Sequence, residues 1–227
     1  FPTNAIYGFA AMIFKFIKDY DPKYLGIVFD SKGDTFRNEI YPEYKANRDA
    51  PPEDLVPQFP RIFELVDGFN IPRFQQEGYE ADAKMGTIAA AAGSNGIDVV
   101  LVTGDKDFCQ LVSDRVTLLD TMKNKETGVK EVLEKYSVRP ERVIDVFALA
   151  GDSVDNIPGI RGIGEKTAAA LISEHGSLDG VIQNLESLKK RQKSLIEDNI
   201  DNALLSRELV TIKTDIEMDT DLEIFRY

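Results

Sequence analysis

The sequence predicts an α/β fold, with a mostly parallel central sheet flanked by helices and a helical region at the C-terminal end. Two short apolar runs, residues 24–30 and 97–107, end in acidic residues, which is typical of buried strands in a parallel sheet. Helical periodicity separates these runs, so βαβ units are expected. Beyond residue 140 the pattern is helical to about residue 212. We therefore predict an α/β core over residues 1–140 and a helical region over residues 141–227.

The elements of the core follow from local patterns. Apolar side chains at helical spacing predict a helix near the start, and an alanine-rich stretch closed by a glycine predicts another in the middle. A polar segment broken by prolines, residues 31–57, is expected to form a mobile arch. The predicted order is helix 3–18, strand 24–30, arch 31–57, helix 58–69, helix 80–93, strand 97–107, short helix 107–112 and strand 115–120.

The composition restricts both the class of protein and the kind of metal site. The 227 residues, 43% of them hydrophobic, suffice for a substantial core, and no apolar run approaches the ~20 residues that span a bilayer. Cys109 and His175 are the only residues of their types, which excludes an intrachain disulfide and nearly excludes a zinc centre. Any metal is expected to be bound by oxygen. We expect a cytoplasmic monomer with no membrane partner and, because residue 1 is not methionine, a piece of a longer chain.

Seven carboxylates stand at a predicted strand end, at a predicted helix start or before a glycine-rich turn: Asp30, Glu80, Asp82, Asp105, Asp107, Asp152 and Asp155. Ligands of open α/β sheets lie beyond the carboxyl ends of the strands. If these acids converge, their repulsion requires cations, and oxygen ligands select Mg²⁺ or Mn²⁺. Two such ions about 4 Å apart bind both the attacking and the leaving oxygen of a phosphodiester. Taken singly, Glu80 and Asp82 are more often acids of a helix start, the two later aspartate pairs fit caps equally well, and only Asp30 favours function. Their joint arrangement favours a metal site.

A glycine-rich segment, "GIRGIGEKTA" at 159–168, precedes a predicted helix. Gly162 and Gly164 allow a tight hairpin, and the helix N–H groups with Lys166 suit one phosphate. This pattern favours a hairpin that binds a DNA backbone without recognising its sequence; a simple turn between helices is the alternative. The basic run "LKKRQK" at 188–193 is best explained as a solvated helix face.

The arch contains aromatic and basic side chains at close spacing. Tyr41, Tyr44, Lys45 and Arg48 suit single-stranded nucleic acid, through base stacking and phosphate neutralisation. The net charge of −12 argues by itself against nucleic acid, but the distribution of charge matters more than its total. A charged surface loop is the alternative. The arch begins directly after the strand that ends in Asp30, and this position favours binding of single-stranded nucleic acid.

Four motifs together are similar to a known family: "VFDSKGDTFRNEIYPEYKANRD", "GYEAD", "TGDKDFCQLV" and "GDSVDNIPGIRGIGEKTAAALI". In this order and spacing they resemble the 5′-nuclease domain of bacterial DNA polymerase I and, more widely, the flap endonuclease family. The resemblance covers essentially the whole chain. It implies a nuclease core of PIN-like type, a helical arch and a helix-hairpin-helix on duplex DNA. It also implies metal-dependent phosphodiester hydrolysis near a 5′ end, flap or nick in replication and repair, a nucleoid-associated bacterial location and a polymerase fused downstream.

The resemblance assigns roles position by position. Asp30, Glu80 and Asp82 correspond to ligands of a first Mg²⁺ or Mn²⁺, and the other four acids correspond to ligands of a second ion. Lys45 and Arg48 correspond to catalytic arch cations that face the scissile phosphate, with Arg37 a weaker candidate. K⁺ is an additional expected ligand of the hairpin. The expected DNA contacts are Arg37, Tyr44, Lys45, Arg48, Gly159, Arg161, Gly162, Gly164 and Lys166.

Two departures from the family pattern support an alternative function. The family opens with a strand that ends in a metal-binding aspartate, and this sequence starts after the place where that strand belongs. Bacterial members have two consecutive acids where this chain has Asp82 and Ala83, followed by Lys84. Fewer acids weaken metal binding and charge stabilisation. A catalytically impaired DNA-binding form is therefore the alternative; a PIN-like ribonuclease is a third hypothesis, which leaves the glycine hairpin unexplained.

Overall fold

The computed structural model describes residues 1–31 and 33–227. Its helices are α1 (Asn4–Tyr20), α2 (Phe36–Ile40), α3 (Phe59–Gly68), α4 (Ala81–Ser94), α5 (Val129–Tyr136), α6 (Val143–Ala150), α7 (Glu165–His175), α8 (Leu178–Gln183), α9 (Lys190–Glu197) and α10 (Ile200–Val210). Its strands are β1 (Ile27–Val28), β2 (Arg73–Phe74), β3 (Val99–Val102), β4 (Val116–Asp120) and β5 (Lys125–Thr127). Short 3₁₀ turns occur at Val56–Gln58, Lys106–Leu111, Pro140–Arg142, Leu185–Ser187 and Leu222–Phe225.

The strands form two small sheets, so the prediction of one central sheet is confirmed only in part. β1 pairs in parallel with β2, and β3 pairs in parallel with β4. β5 is antiparallel to β4, and the turn between them places Asn124 at a φ of 47°. Within the described residues, β1 does not pair with β3. The sequence did not indicate β2 or β5, because strands of two or three residues are too short to show the alternation of polar and apolar residues that is typical of a strand.

Two hydrophobic clusters hold the elements together. α1 packs on α3 through Ile13, Val66 and Ile71. The larger cluster centres on α6, where Val143, Val146, Phe147, Ala148 and Leu149 are at most 1% exposed. A helix buried on all sides is typical of the middle of a helical layer. α6 contacts α7 and α10, and the same cluster includes residues of β3 and β4, so the helical region lies directly against the three-stranded sheet.

The helices match the sequence-based prediction closely, with α1, α3 and α4 each within two residues of the predicted bounds. The segment predicted as an arch contains α2, a turn at 42–47 and one 3₁₀ turn. In the part of the chain that the structure describes, no helix has both the length and the hydropathy needed to cross a membrane.

Candidate active site

Asp30 connects the end of β1 to the start of α4. It lies two residues beyond Val28, and its Oδ1 accepts a 2.7 Å hydrogen bond from the backbone N–H of Ala81, the first residue of α4. A carboxylate is favoured there because the first N–H groups of a helix are unpaired and carry partial positive charge. The bond brings the strand end next to Glu80 and Asp82, as the sequence predicts.

Arg37 is the buried cation between these acids. It is 2% exposed, pairs with Glu80, and places Nη2 3.0 Å from Asp82 Oδ2. Its Nε and Nη2 also donate to the backbone oxygens of Leu209 (2.7 Å) and Thr211 (3.0 Å). All of these contacts are internal, so Arg37 joins the acids at the start of α4 to the end of α10. Its predicted DNA contact stays a prediction.

Glu80 has further partners from the arch segment. Lys45 pairs with its Oε1, and the Tyr44 hydroxyl lies 3.4 Å from both carboxylate oxygens. Burial by itself raises the pKa of Glu80, but Arg37 and Lys45 outweigh burial, and its pKa lies below the ordinary value. For Asp82 the balance is reversed: burial raises the pKa, and Arg37 offsets only part of the rise. Arg37 therefore pairs with both acids, and Glu80 has Lys45 as a second cation.

The second group of acids surrounds the turn after β3. Asp105 accepts a 2.9 Å hydrogen bond from the backbone N–H of Asp107 and so caps the 3₁₀ turn. Lys106 lies between them in sequence and pairs with Asp152 at 2.9 Å. Burial, and then the charges of Asp105, Asp152 and Asp155, raise the pKa of Asp107 from 3.8 to about 7. The four carboxylates here outnumber the cations that pair with them, and burial together with the neighbouring acids favours the protonated form of Asp107.

Lys45 unites the two groups. Its Nζ pairs with Glu80 and lies 3.8 Å from Asp155 Oδ2, while Arg48 pairs with Asp155 Oδ1. Asp155 is 8% exposed, whereas Arg48 is exposed. The predicted acids thus lie along one continuous face, with the predicted catalytic cations placed between them.

Four of the seven carboxylates form ion pairs with described protein cations: Glu80, Asp82, Asp152 and Asp155. Among the described residues, no three His, Cys, Asp or Glu side chains form a group that could hold a metal ion as they stand. The donor set is nevertheless all oxygen, which is the chemistry that Mg²⁺ and Mn²⁺ prefer. Asp105 and Asp107 form no ion pair with a described cation, whereas Asp152 pairs with Lys106 and Asp155 pairs with Arg48. The residues of the second group therefore fit a divalent cation best.

Position 83 has no acid and is closed to solvent. Ala83 is 0% exposed, and its backbone N–H donates to Asp82 Oδ1 at 2.8 Å. Lys84 is 1% exposed and donates to the backbone oxygens of Tyr79 (2.7 Å) and Glu80 (3.3 Å). Burial lowers the pKa of Lys84, while Asp30, Asp82 and Glu80 oppose that change. A buried ammonium group therefore lies beside the first group of acids.

The arch segment is docked on the loop that carries Asp152 and Asp155. The N–H of Lys45 donates to the oxygen of Asp155 at 3.0 Å, and the Asn47 side chain donates to the oxygen of Ser153 at 2.8 Å. Asn156 returns a bond of 2.7 Å to the oxygen of Glu43. Tyr44 is 5% exposed, with Lys45 Nζ 4.9 Å from its ring centroid. The structure therefore places Tyr44 inside the site, and its predicted DNA contact stays a prediction.

Two glycines close the loop between α6 and the hairpin. Gly151 and Gly159 have φ values of 70° and 54°, which favour glycine. A Cβ on Gly159 would lie 2.5 Å from Gly151 Cα, and one on Gly151 would lie 2.6 Å from the oxygen of Ile157. Asp152 and Ile157 exchange two backbone hydrogen bonds of 3.0 and 2.7 Å. This closed loop holds Asp152 and Asp155 in place; the sequence indicated Gly159 but not Gly151.

The predicted hairpin is a tight turn anchored by two buried isoleucines. Ile160 and Ile163 are 1% and 2% exposed, and the N–H of Ile163 donates to the oxygen of Ile160 at 2.9 Å. Gly162 has a φ of 95°, and Gly164 is the N-cap of α7. Arg161 and Lys166 are exposed on either side. The turn therefore presents two cations and the start of a helix to solvent.

Lys106 is the functional candidate that the sequence analysis missed. Its ammonium group pairs with Asp152 and lies 4.8 Å from the ring centroid of Phe147. Its position between Asp105 and Asp107 could have indicated this role. A lysine between two predicted site acids is expected to lie in the same site. It belongs with Lys45 and Arg48 as a cation of the site.

Two models of one protein family together match the whole chain. A model described as the 5′-3′ exonuclease N-terminal resolvase-like domain matches residues 1–137, and one described as the 5′-3′ exonuclease C-terminal SAM fold matches residues 138–227. The chain belongs to the 5′-3′ exonuclease family. DNA polymerase I of Rhizobium leguminosarum is 45% identical over 98% of this chain and 23% of that protein. DNA polymerase I of Bacillus subtilis is 39% identical over 99% and 26%. The chain spans about a quarter of the length of these relatives.

Solved structures of two T5 nuclease complexes and of Rad2 have the same fold. T5 5′-exonuclease with bound divalent zinc has a TM-score of 0.79 at 26% identity, covering 92% of this chain and 81% of that one. A T5 flap endonuclease complex with DNA and metal ions has a TM-score of 0.76 at 28% identity, covering 94% and 82%. The catalytic core of Rad2 with DNA substrate, at 20% identity and a TM-score of 0.59 over 96% and 74%, shows the fold alone.

Proposed function

We propose that the chain is a metal-dependent 5′ nuclease that hydrolyses DNA phosphodiesters at 5′ flaps, nicks and 5′ ends. The observation that carries the proposal is the single face on which the two groups of acids meet, joined by Lys45 between Glu80 and Asp155. Membership of the 5′-3′ exonuclease family supports DNA as the substrate. The match to full-length DNA polymerases supports a polymerase fused downstream, with a role in replication and repair.

The acids supply the metal-binding part of the proposal. Asp30, Glu80 and Asp82 would hold one Mg²⁺ or Mn²⁺, and a second ion would be held by Asp105, Asp107, Asp152 and Asp155. When bound, such ions activate water and stabilise charge on the attacked phosphate. The second group has the greater need for a cation, because Lys106 and Arg48 leave Asp105 and Asp107 without a basic partner among the described residues. Divalent metals in the T5 structures are consistent with this assignment.

The arch cations stabilise the scissile phosphate in this proposal. Lys45 and Arg48 each pair with a carboxylate, and both lie at the rim of the acidic face. On substrate binding they exchange those carboxylates for phosphate oxygens, where a preorganised cation stabilises developing negative charge. Lys106 stays with Asp152 and orients it. The chain thus has its own cations in place before substrate arrives.

The turn at 160–163 forms the duplex-binding part. It would contact phosphates through Arg161, Lys166 and the first N–H groups of α7, as in a helix-hairpin-helix motif. Such contacts position a duplex without selecting sequence. K⁺ bound by backbone oxygens of the turn, a monomeric state and a nucleoid-associated cytoplasmic location belong to the same proposal.

One observation favours the catalytically impaired alternative. Ala83 is fully buried without a carboxylate, and the Lys84 ammonium lies in the same region. An internal cation lowers the need of Asp30, Glu80 and Asp82 for a metal. The family match leaves the ribonuclease hypothesis without a supporting observation.

A titration of Mg²⁺ and Mn²⁺ against cleavage of a labelled 5′ flap separates the two functions. The nuclease proposal predicts product that rises with metal concentration and is abolished by EDTA. Flap binding with no product at any metal concentration would establish the impaired form. In that case, cleavage gained by Ala83→Asp would identify position 83 as the cause, and preference for an RNA flap would revive the ribonuclease hypothesis.

A further inference from the structure

Three exposed cations without ion-pair partners precede or begin α9. Lys189, Lys190 and Arg191, here called the α9 patch, are exposed and form no ion pair with any other described residue. The next cation in the run, Lys193, is different because it pairs with Glu186 at 2.5 Å and is half-buried instead of exposed. In a chain of net charge −12, three adjacent unpaired cations are a local departure from the general surface.

The α9 patch lies beside the turn at 160–163. A Cβ on Gly162 would lie 3.3 Å from Leu195 Cδ1, so α9 packs directly on that turn. Arg191 is four residues before Leu195 and therefore lies on the same side of the helix, about 6 Å along the axis. Ile196 is 0% exposed and fixes the inner face of α9. The cations consequently continue the exposed surface that begins with Arg161.

The spacing of these cations fits a nucleic-acid backbone. Arg161 on the turn and Lys166 at the start of α7 are also exposed, and neither pairs with a described acid. One DNA strand presents a phosphate about every 3.4 Å along the axis of the duplex. Arg191 and Lys189 lie about 6 and 9 Å from Leu195 along α9, a distance that corresponds to roughly two or three phosphates. From the sequence alone, the run at 188–193 is best explained as a solvated helix face. That explanation gives no reason for the cations to lie next to the turn, as they do in the structure.

We propose that the α9 patch binds the phosphate backbone of the same DNA duplex that the turn holds, a few phosphates farther along. The inference rests on the proposed function, because that function supplies the duplex. The contact is independent of base sequence and lengthens the footprint on the duplex beyond the turn. Lys189, Lys190 and Arg191 each neutralise a phosphate and release counterions.

The test compares two charge-reversal variants of the full chain in salt titrations of nicked-duplex binding. Lys189→Glu/Lys190→Glu/Arg191→Glu should weaken binding at least about 10-fold at moderate salt and reduce the slope of log K against log salt by roughly 2 to 3. The matched control, Lys18→Glu/Lys125→Glu/Lys130→Glu, changes three exposed lysines on α1, β5 and α5 by the same net charge. It should alter both quantities much less. Circular dichroism checks that each variant is folded.

Two further comparisons decide the result. A duplex cut short so that it ends at the turn should bind the patch variant and the unaltered chain equally. Equal effects of the patch and control variants, while Arg161→Glu/Lys166→Glu loses affinity, would overturn the α9 patch and leave the proposed function intact. Failure of the unaltered chain to bind or cleave flap and nicked DNA would overturn the proposed function itself. A loss that persists on the shortened duplex would show that the patch does not contact the added phosphates.

Discussion

Arg37 has the most consequential environment of any single side chain. One buried guanidinium pairs with Glu80 and Asp82 and donates to two backbone oxygens at the end of α10. The family resemblance placed it among the arch cations as a weaker candidate than Lys45 and Arg48. Burial is a property of the folded chain, and no local pattern around residue 37 reveals that α10 covers it.

Arg37→Met should therefore destabilise the fold strongly. The change leaves Asp82 without its cation and Glu80 with Lys45 alone, and breaking a buried ion pair typically costs about 3–5 kcal/mol in the free energy of unfolding. Denaturant titration in EDTA measures it. Arg61→Met is the control, because Arg61 pairs with Glu64 on the exposed face of α3 and should change stability little. Unchanged stability with weakened DNA binding would instead make Arg37 a direct DNA contact.

Asp107 gives the fold a pH dependence in the absence of metal. Its pKa is about 7 in the folded chain against an ordinary 3.8, chiefly because of burial and then Asp105. Between these values the folded state binds more protons than the unfolded state, so the free energy of unfolding falls as pH rises from about 4 to 7. Asp107→Asn removes this contribution and should flatten the pH profile, measured by denaturation in EDTA. Parallel profiles for the two proteins would contradict the account.

The elements show how far the sequence specified the fold. Helical periodicity located α1, and an alanine-rich composition closed by a glycine located α4. The separate sheets were not predictable, since β1 and β2 contain two residues each and pairing partners far apart in sequence leave no local signal. The acids were located because strand ends and helix starts are visible in sequence. Their pairing with Arg37, Lys45, Arg48 and Lys106 was not, because it depends on which loops dock together.

The loop between α6 and the hairpin supplies the prediction at the scale of elements. Gly159→Ala should destabilise the fold severely, on the order of 3 kcal/mol or more, because its Cβ would overlap Gly151 and its φ is positive. Gly93→Ala is the control: it lies in α4 with nothing within 4 Å, and alanine there should be neutral or stabilising by up to about 1 kcal/mol. Thermal or denaturant unfolding measures both. Similar stabilities for the two variants would mean that the loop is not the rigid support of Asp152 and Asp155.

On the scale of the molecule, charge is divided between two surfaces. The acidic face carries the candidate metal ligands, and the exposed cations of the hairpin and the α9 patch lie on the helical region. The loop from Asp152 to Gly164 joins these surfaces directly, so the distance between duplex and acids is set by one short, glycine-closed segment. This separation of charge is compatible with the proposed binding of DNA by a chain of net charge −12.

The central claim is that the acids form one metal-dependent nuclease site, separate from the DNA-binding surface. Single-turnover cleavage of a 5′ flap by the unaltered chain and by Asp152→Ala, at saturating Mg²⁺ and with flap affinity measured in parallel, tests it most directly. We expect the cleavage rate to fall by orders of magnitude while the affinity changes only a few-fold. An unchanged cleavage rate in Asp152→Ala would contradict the claim.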